Sequence, residues 1–322
     1  MGALFGNRRS AQEPLSPVTK KPKPTSKIAA IPLLSEVLTR PVIFVSGKGG
    51  VGKSVVTQAI ALALSRKGRR TLWVELEDPL KPRGQLSKIA PKLWRLNCDA
   101  EMSFEEYALL KIGDSPLARM FIDNKLMRYL AKAAPGIHEL VLLGKIWHES
   151  SRYESVVVDM PSTGHGLALF QSTKNYATLF RGGPIHEDAE EMILTFADSG
   201  KTGHVIVALP EEMPLRESLD LDQFLMEIFP KNRATFVVNR TFPKTGVPAN
   251  IPADPTNWPS PLAENPLDYL NRRVLLEEHN LRIWRDQELS FAEFGYVSPA
   301  EAHTSAAIAE VLSEQLVTGG HL

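Results

Sequence analysis

The sequence predicts an α/β protein in which a parallel β-sheet is covered by helices on both faces. Short apolar runs that are typical of buried strands alternate along the chain with longer segments of helical periodicity, and this alternation favours a parallel sheet with helical crossovers. A glycine-rich turn joins the first such run to the first long helical segment. The composition agrees, because 43% hydrophobic and 23% charged residues are ordinary values for a globular protein.

The first 30 residues differ from the rest of the chain in charge. They contain six basic residues and one acidic residue, whereas the whole chain has a formal net charge of zero. They also contain four prolines and no periodic apolar pattern, so we expect residues 1–30 to form a flexible basic tail. Such a tail either is merely solvated or docks on an acidic protein surface or an anionic lipid. We expect no specific nucleic-acid partner, and membrane contact that is at most peripheral.

Residues 31–318 are expected to form one domain. The apolar run 41–46 predicts the first strand, segment 54–67 predicts a helix that ends at Gly68, and run 71–74 predicts the second strand. The other predicted strands are 156–159, 204–209 and 235–239, and the other predicted helices after residue 150 are within 166–199 and at 215–228, 267–285 and 299–316.

Two segments depart from this alternation. Residues 83–150 contain no run that we interpret as a strand, so a helical insertion is predicted there, with helices at 104–112, 116–133 and 137–150. Residues 241–266 contain seven prolines, which exclude a central strand or helix and predict a proline-rich loop. Cys98 is the only cysteine, which excludes an intramolecular disulfide and a zinc site of several thiolates. The cytoplasm is therefore the expected compartment.

Residues 47–54 read G-K-G-G-V-G-K-S and fit the phosphate-loop pattern G-x-x-x-x-G-K-[S/T]. In such a loop the backbone N–H groups and the start of the next helix point at phosphate oxygens. We expect Lys53 to neutralise the β- and γ-phosphates of ATP and Ser54 to ligate Mg²⁺. The residues expected to cradle the nucleotide are Gly47, Gly49, Gly50, Val51, Gly52, Lys53, Ser54 and Val55.

A second lysine, Lys48, follows the first glycine of this loop. The loop thereby resembles the deviant Walker A motif of the ArsA arsenite-efflux ATPases, the ATPases that target tail-anchored proteins, and the MinD and ParA positioning ATPases. In those P-loop families the second lysine contacts the phosphates bound by the partner subunit. The resemblance implies that Lys48 acts across a nucleotide-dependent homodimer, which would couple ATP hydrolysis to dimer formation.

The predicted strand 156–159 ends in Asp159, which matches the Walker B pattern and would hold the Mg²⁺ shell. The following residues, M-P-S-T-G-H, resemble the switch II sequence D-x-A-P-T-G-H of the ArsA and tail-anchored-targeting branch. The proline lies one place earlier here, and Ser162 takes its usual position. Gly164 would permit a backbone shift when the γ-phosphate is lost. His165 would relay that shift, contact the partner, or simply be a loop histidine hydrogen-bonded to the backbone.

Switch I departs from the S-T-D-P of that branch, because residues 76–79 read L-E-D-P. An ungapped count from the strand places Glu77 at the position of the aspartate that orients water, whereas matching the D-P pair selects Asp78. A third interpretation is that both acids only belong to a solvated loop of a weakly hydrolysing or inactive protein. Residues 237–240, V-V-N-R, resemble the strand end whose asparagine binds adenine, which implies that Asn239 and Arg240 lie at the base.

The resemblance implies an ATP-hydrolysing switch that docks or positions a partner protein through the helical region or the basic tail. One cysteine is too few for the arsenite site of efflux ATPases, and the absence of C-x-x-C leaves any dimer to nucleotide or packing. The alternatives are a chaperone-like targeting factor that shields hydrophobic segments and a degenerate ATPase used as a scaffold. Residues that would face a hydrophobic client, or form a helical core instead, are Met102, Met120, Leu126, Met127, Leu130, Leu140, Val141, Leu142 and Leu143.

Overall fold

The computed structural model describes residues 30–113, 136–179, 184–242, 266–298, 300–320 and 322. The strands are β1 (Val42–Gly47), β2 (Thr71–Leu76), β3 (Leu86–Ala90), β4 (Leu93–Cys98), β5 (Ser155–Asp159), β6 (Thr202–Ala208), β7 (Thr235–Thr241) and β8 (Phe291–Gly295). The helices are α1 (Leu34–Val37), α2 (Lys53–Arg66), α3 (Ala100–Ile112), α4 (Ile137–Ser150), α5 (Thr163–Leu179), α6 (Pro184–Ala197), α7 (Glu212–Ile228), α8 (Pro266–Asp286) and α9 (Ser305–Thr318).

The eight strands form one sheet in the order β3-β4-β2-β5-β1-β6-β7-β8. Neighbouring strands are parallel except for β3 and β4, which are antiparallel. The predicted α/β fold, a mostly parallel sheet with helices, is therefore confirmed. β1 lies between β5 and β6, so the loop after β1 opens where the strand order reverses, and such points bind ligands in open α/β sheets.

Side chains of alternate residues in β1 enter two separate cores, one on each face of the sheet. Val42 and Phe44 pack with the core formed by α4 to α8, whereas Ile43 and Val45 pack with the core formed by α1, α2 and α9. The Phe44 ring meets the Phe170 ring edge-on, with 5.0 Å between their centroids. The side chains of these four residues, 42–45, are all buried, and burial of each contributes roughly 1.5–3 kcal/mol to stability. The central strand, and with it the start of the following loop, is therefore held between two packed apolar cores.

The prediction that residues 83–150 contain no strand is wrong. β3 and β4 form an antiparallel hairpin, and β4 pairs in parallel with β2, with Thr71 opposite Leu93. Polar residues such as Arg95 and Asn97 interrupt the apolar pattern of β4, so pairing with β2 rather than a local signal makes this segment a strand. Within the described residues of this region, α3 and α4 are the helices, and the helix predicted at 116–133 lies outside them.

β8 is a third strand that the sequence analysis missed, after β3 and β4. It extends the sheet in parallel from β7, with Phe236 opposite Phe291. The basic tail and residues 243–265 of the proline-rich loop lie outside the described residues. Among the helices that the structure describes, none is both long and apolar enough to cross a membrane.

Candidate nucleotide site

The turn between β1 and α2 has a backbone that only glycine accommodates at two points. Gly47 has φ +153°, and a Cβ there would lie 2.5 Å from the carbonyl oxygen of Val207 in β6. Gly52 has φ +88°, and a Cβ there would lie 2.4 Å from Nδ2 of Asn239 in β7. The phosphate loop therefore passes directly over the ends of β6 and β7, at a distance that side chains would prevent.

A cavity of about 390 Å³ opens beside this loop at the carboxyl ends of the strands. Its lining side chains come from α2, β2, the loop after β2, the end of β5 and the start of α9: Lys53, Ser54, Val55, Gln58, Trp73, Glu75, Leu76, Asp78, Lys81, Asp159, Met160, Pro161 and Ser305. Lys53 and Ser54 are the first two residues of α2, so the unpaired N–H groups and the positive end of this helix are directed at the same space.

Asp159 ends β5 and is largely buried at the floor of the cavity. Burial raises the pKa of its carboxyl, while a hydrogen bond from the Ser54 hydroxyl and the charge of Lys53 oppose that rise. Thr57 Oγ1 also lies 3.5 Å from Asp159 Oδ1. A hydroxyl and a carboxylate oxygen are the hard ligands that Mg²⁺ prefers, and the loop above them is an anion cradle. The residues present therefore fit a nucleoside triphosphate with its magnesium ion.

The two acids that the sequence analysis offered for switch I, Glu77 and Asp78, have different surroundings in the structure. Asp78 lines the cavity, and its carboxylate lies 3.2 Å from Nζ of Lys81. Glu77, which has φ +52°, faces away from the cavity and lies 2.9 Å from Nε2 of His138 in α4. The hydrogen bond to His138 holds the pKa of Glu77 below its usual value. Of the two acids, only Asp78 is placed beside Lys53 and Asp159.

Glu75 and Lys81 are cavity residues that the sequence analysis missed. Glu75 lies in β2 opposite Asp159 in β5, and its side chain is only 5% exposed. Its carboxylate forms an ion pair with Lys81, and burial raises the pKa of Glu75 despite that charge. The signal was present in the sequence, because a charged residue inside an otherwise apolar strand that is buried on both faces calls for a partner.

The loop after β2, residues 77–84, is here called the switch loop, and β4 fixes its position. The buried side-chain amide of Asn97 accepts a hydrogen bond from the backbone N–H of Asp78 and donates to the carbonyl oxygens of Asp78 and Lys81. The backbone of Asn97 and Cys98 also accepts from the N–H groups of Gly84 and Glu77. The unpredicted hairpin therefore carries the residues that aim Asp78 and Lys81 at the cavity.

Lys48 lies outside the cavity, at the exposed start of the phosphate loop. Its side chain is 53% exposed and forms an ion pair with Glu217 of α7. Gly49 and Gly50 are exposed next to it, and Val51 is buried. The structure thus places Lys48 on the surface of the loop, where a second molecule has access to it.

Asn239 and Arg240 both lie next to the phosphate loop, close to Gly52. Asn239 is buried at the end of β7 and donates a hydrogen bond from Nδ2 to the carbonyl oxygen of Val51, at 2.9 Å. Arg240 has φ +62° and is exposed, and its guanidinium would lie 3.7 Å from a Cβ on Gly52. In this structure the amide of Asn239 therefore supports the loop, a role that the resemblance did not indicate.

The predicted switch II continues from Asp159 into α5. Met160 is buried and its N–H donates to the carbonyl oxygen of Val45, whereas Ser162 is exposed and its carbonyl oxygen accepts from His165 N–H at the start of the helix. His165 is exposed. The histidine thus projects from the first turn of α5 rather than from the loop that follows β5.

An apolar cavity of about 280 Å³ lies between α3, α4 and α6, apart from the phosphate loop. Phe104, Leu110, Ile137, Trp147 and Met192 are among its lining residues. Of the candidate client-facing residues, Leu140, Val141, Leu142 and Leu143 are buried and Met102 is exposed. The four consecutive residues of α4 therefore belong largely to a core, and Met120, Leu126, Met127 and Leu130 lie outside the described residues.

Comparison with known proteins places this site in a family. The model of the family described as Anion-transporting ATPase matches residues 40–182, which include the phosphate loop, Asp78 and Asp159. The ATPase BagA of Mycobacterium tuberculosis is 30% identical over 62% of this chain and 64% of its own length. The chain thus spans somewhat less than two thirds of that relative.

Two further relatives share lower identity. A protein of Aquifex aeolicus that carries the name of an arsenical pump-driving ATPase is 23% identical over 63% of this chain and 81% of its own length. The ATPase get3 of Botryotinia fuckeliana is 28% identical over 40% of this chain and 41% of its own length. The resemblance inferred from the motifs is therefore confirmed: residues 40–182 match the family model, and the relatives carry the names of arsenical pump-driving and get3 ATPases.

Proposed function

We propose that this protein is a magnesium-dependent ATPase that works as a molecular switch, closing around nucleotide as a homodimer and docking a partner protein. The observation that carries the proposal is the arrangement of three groups around one cavity. The Ser54 hydroxyl and the half-buried Asp159 carboxylate line this cavity at the end of the glycine-rich turn, and Asp78 lines the same cavity. This combination suits a triphosphate that is bound with a divalent cation and attacked by water.

Each residue has a separate task in this proposal. Lys53 and the N–H groups of the loop bind the phosphates, and Ser54 and Asp159 hold the magnesium ion and its water. When bound, the ion neutralises charge on the phosphate oxygens. Asp78 accepts a hydrogen bond from the attacking water and orients it. Asn239 and Arg240 border the loop on the side where the base would lie.

The proposed dimer depends on Lys48, which would contact the nucleotide of the other subunit. Its ammonium is exposed and is paired only with Glu217 in the described residues, so a partner copy has access to it. In a closed dimer Lys48 would exchange Glu217 for the phosphates bound by the other subunit. Because hydrolysis would then need both subunits, turnover would depend on assembly.

The test measures molar mass by light scattering with ADP and with a non-hydrolysable ATP analogue, together with nucleotide binding and phosphate release. The wild type is expected to bind both nucleotides and to become a dimer only with the analogue and Mg²⁺. Lys48→Ala should still bind ADP but stay a monomer and lose most of its hydrolysis. Lys231→Ala, which changes an exposed lysine in the turn after α7, is the control and should behave like the wild type.

Three results would count against the proposal. A wild type that binds no nucleotide would refute the ATPase function altogether. A molar mass that is the same with either nucleotide, in wild type and in Lys48→Ala, would refute the nucleotide-dependent dimer. Binding and dimerisation without phosphate release would instead indicate a degenerate ATPase that is used as a scaffold.

A chaperone-like targeting factor is the second candidate, and the apolar cavity between α3, α4 and α6 favours it. In the first proposal this helical region, or the basic tail, docks the partner protein; in the second the cavity shields a hydrophobic segment in the cytoplasm. Binding of an apolar dye separates the two. Dye fluorescence that rises with the ATP analogue, and that an apolar peptide competes away, would support the second candidate. Fluorescence that stays low in every nucleotide state would exclude it.

A further inference from the structure

The cavity contains an ion pair that has no counterpart in the motifs of the site. Glu75, in β2, and Lys81, in the switch loop, are paired at the wall that faces Lys53 and Asp159. Glu75 is 5% exposed and Lys81 is 29% exposed. A buried carboxylate is costly without a partner, so each charge accounts for the presence of the other.

The pair is incompletely satisfied, because one carboxylate oxygen of Glu75 has no hydrogen-bond partner among the described residues. Glu75 Oε1 accepts from Lys81, but Oε2 is buried and has no hydrogen-bond partner among the described residues. The nearest other cation is Arg95, whose Nε lies 3.9 Å from Oε2, beyond hydrogen-bond distance. Buried polar atoms are normally hydrogen-bonded, so the unpartnered Oε2 needs an explanation, and a pair that breaks when nucleotide binds would provide one.

Lys81 also has few other contacts that fix its ammonium. Its Nζ lies 3.2 Å from Asp78 and 5.2 Å from the centroid of the Trp73 ring. Burial raises the pKa of Asp159, and the charge of Lys81 is close enough to oppose that rise. Lys81 therefore lies among three acids that line the same cavity, namely Glu75, Asp78 and Asp159. Asn97 holds the backbone of Lys81, so the flexible side chain alone can move.

We propose that Lys81 senses the terminal phosphate of the bound nucleotide within its own subunit. Its ammonium would leave Glu75 and Asp78 for an oxygen of the γ-phosphate, and Asp78 would thereby be released to orient water. Glu75 acts as the resting partner that holds the cation until the triphosphate binds. This inference rests on the proposed ATPase function, and it adds a cation within each subunit to the one that Lys48 would supply across the dimer.

The experiment compares the affinity of two nucleotides by isothermal titration calorimetry at constant Mg²⁺: ADP and a non-hydrolysable ATP analogue. In Lys81→Gln the Kd for the analogue is expected to rise about tenfold or more, which corresponds to about 1.4 kcal/mol, while the Kd for ADP stays within about threefold. In Glu75→Gln the analogue should bind several-fold more tightly, because the resting partner no longer competes for Lys81. Lys88→Gln, an exposed lysine of β3 outside the cavity, is the matched control.

The opposite directions of the two single variants distinguish sensing from a structural role. Should Lys81→Gln fail to fold because Glu75 has lost its hydrogen-bonded partner, the double variant Glu75→Gln/Lys81→Gln removes both charges and should still lose the preference for the analogue. Equal weakening of ADP and analogue, or no change in either, would overturn the inference while the ATPase function stands. A wild type that binds neither nucleotide would overturn both.

Discussion

The phosphate loop and the switch loop border the same cavity but are fixed by different kinds of interaction. The conformation of residues 47–54 is local, since it depends on glycines with positive φ and on the start of α2. The conformation of residues 77–84 is imposed from outside, by five hydrogen bonds to the end of β4. The backbone of the phosphate loop is therefore set mainly by its own eight residues, with a supporting hydrogen bond from Asn239, whereas the switch loop is held by the neighbouring strand β4.

The largest effect on stability is expected at Gly47, where the fold has no space for a side chain. In Gly47→Ala the new Cβ would lie 2.5 Å from a backbone oxygen of β6, which cannot move without breaking the sheet. We expect the free energy of unfolding to fall by about 3 kcal/mol and nucleotide binding to be lost. Urea denaturation and titration with a fluorescent nucleotide measure the two losses.

Gly49→Ala is the matched control, since a Cβ there meets nothing within 4 Å. We expect a change in stability of no more than about 0.5 kcal/mol. If the two alanine variants unfold at the same urea concentration, the close approach of Gly47 to β6 does not constrain the phosphate loop.

The next effect compares the two acids of the switch loop. Asp78→Asn is expected to lower kcat for ATP hydrolysis by about 10²-fold with little change in affinity, because the residue would orient water without binding the phosphates. Glu77→Gln, one residue away but directed at His138, should change kcat by less than about twofold. Steady-state kinetics at saturating ATP measure both. A larger loss in Glu77→Gln than in Asp78→Asn would show that the switch loop rearranges when nucleotide binds.

A smaller effect is expected from the hairpin itself. Asn97→Ala would leave the buried N–H of Asp78 and two carbonyl oxygens without their partner, at a cost of about 2 kcal/mol in the free energy of unfolding. The control Asn175→Ala removes an exposed amide that accepts a hydrogen bond from Gln171, and we expect it to be neutral within about 0.5 kcal/mol. Equal stability of the two variants in denaturant would mean that β4 does not support the switch loop.

The phosphate loop, Asp159 and the central strands could be predicted because each depends on a short run of residues. An apolar run followed by G-K-G-G-V-G-K-S needs no distant partner to identify it. β4 could not be predicted, because Arg95 and Asn97 interrupt its apolar pattern and pairing with β2 decides its conformation. The sequence left the choice between Glu77 and Asp78 open for the same reason, since the side chain that lines the cavity depends on Asn97 and on φ +52° at Glu77.

The smallest expected effect concerns the acid that faces away from the cavity. The hydrogen bond with Glu77 raises the pKa of His138, so its contribution to stability is full below the unfolded histidine pKa of about 6.5 and is lost as pH rises through the folded value. The pKa of Glu77 is lowered, so its contribution is present above the unfolded glutamate pKa of about 4.3 and is lost as pH falls through the folded value.

The Glu77–His138 pair should therefore stabilise the protein most between about pH 4.3 and pH 6.5. Both side chains are more than a third exposed, so solvent screens the pair and limits its contribution to at most about 1 kcal/mol. We expect His138→Asn to lower the free energy of unfolding slightly at pH 6 and by less at pH 8, in paired urea denaturation curves. A difference that grows with pH would mean that His138 is neutral in the folded protein, and that the fixed backbone at Glu77, rather than its charge, turns this acid away from the cavity.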